Sequence, residues 1–184
     1  MNVTITGPRS VGKSIISKIV AKKLNLKYVS SDEIGEHALK NEGGLDKAIK
    51  SGVIGKFIQE GAYNLIREQY QKENFVFDLS GGSISSRKNS EASKKARETA
   101  KKNSVIVGLL PSKNAKESIK FLFEREKERH HFKNMDRKEL RAKVEDDYKQ
   151  FPPILKELCD LVVYVQNKTK EQIADEIVLR LQQK

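Results

Sequence analysis

The sequence predicts a three-layer α/β/α fold around a five-stranded parallel sheet. Three observations lead there. Short β-branched or apolar segments alternate with helix-period segments along all 184 residues. At least one strand segment, Ser104 to Leu110, is apolar on both faces, as a sheet covered by helices on both sides requires. A glycine-bearing turn joins the first strand directly to the first helix. In order, Asn2 to Thr6 is a β-branched strand ending at Gly7. Ser14 to Leu24 is a helix with Ile15, Ile16, Ile19, Val20 and Leu24 on one face. Lys27 to Val29 is a short strand, and Ser30 to Asn41 a second helix. Val53 to Tyr70 reads as a long amphipathic helix through Val53, Phe57, Leu65 and through Ile54, Ile58, Ala62, Ile66, Tyr70. Phe75 to Leu79 is a third strand, closed by the turn Ser80-Gly81-Gly82-Ser83. Ser90 to Lys102 is a polar helix and Ser104 to Leu110 the buried strand. Helices follow over Ser112 to about Arg129 and Asp136 to Lys149. Pro152-Pro153 is expected to interrupt helicity before Ile154 to Leu158. Leu161 to Val165 is a fifth strand, and Thr169 caps a last helix through Leu181. In such a sheet, ligands bind beyond the carboxyl ends of the strands.

Composition narrows the classes. A 37% apolar content and this length suit one domain with a proper core, so residues 1–184 are expected to form a single domain. The single cysteine, Cys159, excludes a disulfide framework and a cysteine zinc site, and reads as a core residue. No apolar run approaches a membrane span, and Met1 to Thr6 lacks a basic-then-apolar leader layout. A cytoplasmic protein that engages no membrane is expected. The net charge of +11 has two readings, attraction to anions or a lysine-rich solvated surface. Lys and Glu are interspersed, as in Lys113 to Glu128, and Tyr and Phe do not interleave with basic clusters. Nucleic acid is therefore not expected as a partner. The adjacent His130 and His131 cannot share a metal as i, i+4 histidines do.

One segment carries chemistry outright. Gly7-Pro8-Arg9-Ser10-Val11-Gly12-Lys13-Ser14 satisfies G-x-x-x-x-G-K-[ST] in full, between a strand and a helix. The glycines let the backbone curl so that several N–H groups point inward. A helix N-terminus then adds its dipole, and the loop through Ile15 favours a polyphosphate. Lys13 would reach the β- and γ-phosphates of ATP, and Ser14 would ligate Mg²⁺.

Beyond this loop, the chain resembles the small metabolite kinases with a phosphate-binding loop, and most of all the shikimate kinase family. In that family the second strand ends in D-[ST]-D, and the match here is Ser30-Ser31-Asp32. The resemblance gives Asp32 the role of holding the acceptor hydroxyls beside the transferred phosphoryl group. The first acid of the family motif is replaced by Ser30. A local reading stands beside this one: Ser30-x-x-Glu33 is a capping box, and Asp32 in the first turn offsets the helix dipole. Asp78 ends an apolar strand like a Walker B acid, so it could hold Mg²⁺ and compensate for Ser30, or be satisfied by backbone N–H groups or Lys13. Ser80-Gly81-Gly82 resembles the family's triple glycine at the acceptor, or is an ordinary tight turn.

Gly52, Val53, Phe57, Gly61, Leu65 and Arg67 fall close to the family segment that carries an acceptor-binding arginine. Strict spacing puts Ile66 at that position and Arg67 one residue late, a turn of about 100° on a helix. Arg67 is then the acceptor arginine or a surface partner of Glu68 or Glu60. Arg125 and Arg129 resemble the family's adenine-stacking and lid arginines, or are solvated residues of the run EREKER. Their i, i+4 spacing would put them on one face of a continuing helix. The resemblance places an acceptor-binding region at about 32–72 and a lid at about 125–136. The loop Gln166 to Gln172, with Asn167, resembles the adenine-contacting loop. The family's R-P-L-L is absent, and Lys149-Gln150-Phe151-Pro152-Pro153 lacks the arginine that binds the acceptor carboxylate.

The function implied is transfer of the γ-phosphoryl group of ATP to a hydroxyl of a small metabolite, with shikimate the first candidate. The expected partners are ATP and that metabolite, and the expected state is a monomer. Lys13, Asp32 and Arg129 would be the catalytic groups. A nucleoside monophosphate kinase is the nearest alternative, since Asn2 to Ile34 also resembles cytidylate kinases. An NTPase that binds RNA or protein without phosphorylating a metabolite is the alternative from another class.

Overall fold

The computed structural model describes residues 1–44, 47, 62–85, 90–129 and 134–183. Its centre is a five-stranded parallel sheet in the order β2-β3-β1-β4-β5. The strands are β1 Asn2–Thr6, β2 Lys27–Ser30, β3 Phe75–Asp78, β4 Val105–Leu110 and β5 Leu161–Tyr164. The helices are α1 Lys13–Leu24, α2 Ser31–Ala38, α3 Tyr63–Gln69, α4 Gly81–Ser85, α5 Ser90–Asn103, α6 Ala115–Glu126, α7 Arg137–Lys149, α8 Phe151–Leu158 and α9 Lys170–Gln182. Parallel neighbours need crossovers, and helices supply them.

The chain moves from β1 to β2 on one side, then from β3 across β1 to β4 and β5. With right-handed crossovers, that reversal puts α1 on one face and α5 with α8 on the other. The last helix, α9, returns to pack on α1. The central strands are apolar because both faces are covered: Val3, Ile5, Val76, Phe77, Val107 and Leu109 are fully buried. Tyr70, Phe75 and Phe77 meet as tilted and edge-on rings, with centroids 5.4–6.2 Å apart. Each such buried side chain contributes about 1.5–3 kcal/mol. The Tyr70 hydroxyl meets Thr4 Oγ1 at 2.7 Å, so its polar end is satisfied within the core. Among the described residues, no helix is long and apolar enough to cross a membrane.

Register is what builds the site. Ile5 pairs with Asp78, and Ser30 pairs with Asp78, so the carboxyl ends of β2, β3 and β1 finish in one row. The turn after each strand therefore opens onto the same edge of the sheet.

Several expectations change. Ile15 does not join the buried face of α1; it is 46% exposed, while Ile16 and Val20 are buried. The second helix is shorter, ending at Ala38 before a 3₁₀ turn over Lys40–Glu42. Helicity does break before the prolines, at Gln150 between α7 and α8, but it resumes at Phe151 and not at Ile154: Pro152 and Pro153 lie in the first turn of α8, where the missing N–H has no intrahelical partner to lose. Helix α6 begins at Ala115 under an Asn114 cap and stops at Glu126, so Arg125 and Arg129 do not share a continuous helical face. Gly81 opens the short helix α4 where the sequence reads as the tight turn Ser80-Gly81-Gly82-Ser83. Thr169 caps α9 as expected, with Gln172 completing a reciprocal box. Gly52, Val53, Phe57, Gly61 and residues 130–133 of the expected lid lie outside the described residues, and with them His130 and His131.

Candidate active site

The loop between β1 and α1 has the backbone that its sequence requires. Gly12 caps α1 with φ at 106°, a conformation closed to most side chains. Ser10, a non-glycine, is also left-handed at φ 62°. Lys13 Nζ donates to the Pro8 carbonyl at 3.1 Å, folding the side chain back over the loop. Burial lowers the Lys13 pKa, while Asp78 and Asp32 oppose that shift and Arg129 and Arg9 add to it. These five groups thus share one electrostatic neighbourhood.

Asp78 is 4% exposed at the end of β3. Burial pushes its carboxyl above the usual range; hydrogen bonding from Ser14 and the charge of Lys13 counteract this. Tyr28 Oη stands 3.4 Å from Asp78 Oδ2, and burial followed by the Asp78 charge raises the phenol to about 12. Asp78 is therefore met by side chains, including the Lys13 partner considered from sequence. Two hard oxygens meet here: Asp78 on its buried strand end, and Ser14, exposed in the first turn of α1. Such a pair fits a Mg²⁺ that keeps most of its ligands as water and phosphate.

Asp32 is exposed in the first turn of α2 and acts electrostatically on both Lys13 and Asp78. Ser30 does cap this helix, accepting from Glu33 N–H at 3.3 Å. Capping and proximity to the loop thus coexist in Ser30-Ser31-Asp32. Ser31, the middle residue of that match and without a role assigned from sequence, accepts from Ser80 N–H at 2.8 Å. It ties the segment after β3 to the start of α2.

Gly81 is buried against Gly7, and Gly82 beside it is exposed. Arg67 is exposed next to buried Ile66 and makes no ion pair with another described residue. That agrees with the one-residue offset read from spacing.

Arg125 Nη1 donates to the carbonyls of Ser10 and Val11, at 3.2 and 3.3 Å. Its guanidinium lies 4.1 Å from the centre of the Phe121 ring. Phe121, Arg125 and Gln166 line a cavity of about 370 Å³ together with Glu117, Lys120 and Glu124. Gln166 Oε1 is buried there without a hydrogen-bond partner among the described residues. Asn167, singled out from sequence, is exposed at φ 62° and turns the chain after Gln166. Gln166 opens the loop that the sequence likens to the adenine-contacting one; Phe121 was not legible as a site residue, since it is an ordinary member of its helical segment.

The family model for shikimate kinase matches residues 9–182. The chain belongs to the shikimate kinase family. As a member of it, the protein is an ATP-dependent small-molecule kinase. A shikimate kinase of Legionella pneumophila (strain Corby) is 25% identical over 178 residues, 96% of this chain and 92% of that protein. A cytidylate kinase of Mycoplasmopsis synoviae is 44% identical, but over 46 residues, 21% of its length. Among solved structures, shikimate kinase from Acinetobacter baumannii in complex with shikimate has a TM-score of 0.72 at 18% identity. That likeness covers all of this chain and 94% of the other, and shows the shared fold.

Proposed function

We propose that this kinase transfers the γ-phosphoryl group of ATP to a hydroxyl of shikimate or a closely similar small polyol acid. The observation that carries the reading is the arrangement at the mouth of the sheet, where Asp32 and Asp78 act on one half-buried lysine, Lys13, folded back onto the Pro8 carbonyl. One carboxylate is buried on a strand end and hydrogen-bonded by Ser14 from the first turn of α1, and the other is exposed on the acceptor side. That division suits a metal-side acid and an acceptor-side acid.

In this reading the N–H groups of Gly7 to Ile15, including those of Arg9, Ser10, Val11 and Gly12, cradle the phosphates. Lys13 leaves the Pro8 carbonyl for the β- and γ-phosphates. Ser14 and Asp78 would hold Mg²⁺, which supplies charge neutralisation on the phosphates. Asp32 accepts the proton of the attacking hydroxyl, and Arg129 closes over the charge that develops on the phosphoryl group. Phe121, Arg125 and Gln166, followed by Asn167, take the nucleobase. Gly81 and Gly82 line the acceptor side by backbone, and Arg67 serves the acceptor only if its helix turns on closure. The domain, residues 1–184, would act as a cytoplasmic monomer.

A coupled assay of ADP release with shikimate, gluconate and nucleoside monophosphates tests the acceptor. Shikimate-dependent release is expected. Release with CMP or AMP and none with shikimate would replace this reading by a nucleotide acceptor, as the short cytidylate kinase match allows. ATP consumption indifferent to every acceptor, with salt-sensitive RNA retention, would favour the binding-module alternative.

A further inference from the structure

Glu126 is the last residue of α6 and is 4% exposed. Its Oε1 accepts from the Ser10 hydroxyl. The same oxygen is 3.6 Å from Arg9 Nε and 3.9 Å from Arg129 Nη1. The Arg129 N–H also donates to the Glu126 carbonyl at 3.0 Å, so the two residues are held together by backbone as well. A buried carboxylate is thus pressed against the loop that binds phosphates. Its charge opposes an anionic ligand there. It can persist only where donors and cations compensate it. Two of those cations, Arg9 and Arg129, are groups that the phosphates themselves would attract. Carboxylate and phosphate compete for the same guanidinium groups.

We propose that Glu126 is a positioning residue that holds Arg129 in reserve, releasing it to the γ-phosphoryl group of ATP but not to ADP. The inference rests on the assignment of residues 7–14 as the triphosphate site and of Arg129 as the arginine that closes on it. With ATP bound, the γ-phosphoryl charge draws Arg129 off Glu126. After transfer that charge has left with the product, and Arg129 returns to the carboxylate. ADP is then held more weakly than the loop alone would hold it, which favours its release.

Calorimetric titration of MgADP and the Mg²⁺ complex of the β,γ-imido analogue of ATP tests this in wild type, Glu126→Gln, Arg129→Gln and the double variant. Glu126→Gln keeps an oxygen for Ser10 and removes the charge. It should tighten MgADP binding about tenfold, and the double variant should lose that gain. Arg129→Gln should weaken the triphosphate analogue about tenfold and leave MgADP within about twofold. An MgADP affinity unchanged in Glu126→Gln, or a gain that survives in the double variant, overturns the proposal. Should Glu126→Gln not fold, the exposed Arg129→Gln decides alone: equal losses for both nucleotides, or none, overturn it. Wild type binding neither nucleotide would instead sink the kinase site assignment on which the proposal rests.

Discussion

Gly81, which opens α4, touches Gly7, which opens the phosphate-binding loop. A Cβ built on Gly81 would stand 2.5 Å from the Gly7 carbonyl oxygen and 2.8 Å from Phe151 Cζ. The segment after β3 therefore rests directly on the segment after β1. The position needs glycine for space and not for backbone conformation, since its φ is not positive.

Gly81→Ala should destabilise the protein by about 1–3 kcal/mol, because neither a loop carbonyl nor a buried ring can yield freely. Gly82→Ala is the control: its Cβ would meet nothing nearer than Ser80 Oγ at 4.0 Å, so about 0.5 kcal/mol or less is expected. Thermal denaturation of both variants checks this. Equal losses would show that the contact with Gly7 is not what constrains the turn.

Asp32→Asn should lower kcat by about 10²–10⁴-fold while leaving the fold and MgATP binding nearly unchanged, because the exposed side chain carries no core packing. Steady-state kinetics with shikimate measures it. A kcat within about threefold of wild type would remove Asp32 from the proton-accepting role and leave it a helix-terminal charge.

Arg125→Ala should raise KM for ATP about tenfold, with a smaller change in kcat. The guanidinium both holds the Ser10 and Val11 carbonyls and stacks on Phe121. Arg125→Lys should recover little, since an ammonium lacks the planar fork. Full recovery by lysine would mean that charge alone matters there.

Cys159 faces Leu155 and Gly108 at the packed interface of α8 and β4, and burial pushes its thiol from 9.0 up to about 12. Alkylation by iodoacetamide near pH ~8 should be at least ~100-fold slower in the native protein than in denaturant, because little thiolate forms. The raised value means that the thiol supports the fold fully below about 9.0 and loses that contribution as pH rises towards about 12. Cys159→Ala should therefore show a shallower alkaline fall in Tm than wild type. Native labelling as fast as denatured labelling would contradict the burial.

Much of this arrangement was open to reading along the chain. The strand, the glycine-bearing loop and the helix over Asn2 to Leu24 follow from a few consecutive residues. So do the Thr169 cap and the Ser30 cap, whose hydrogen bonds close within three residues. The errors were also local in kind. The break at Pro152-Pro153 holds, but α8 begins at Phe151 and takes in both prolines, because a missing donor is harmless at a helix start. The end of α6 at Glu126 could not be seen in the unbroken charged run that contains it.

By itself the sequence determined the order of strands and helices, the phosphate-binding loop and the family, since backbone preferences and short spacings carry all three. Tertiary structure alone decided which side chains share the site. Asp78 meets Ser30 and Ile5 because three strands far apart in sequence finish in register. Glu126 reaches Ser10 across 116 positions. No periodicity encodes a contact of that kind, because it depends on the order of strands in the sheet and on where each crossover helix stops.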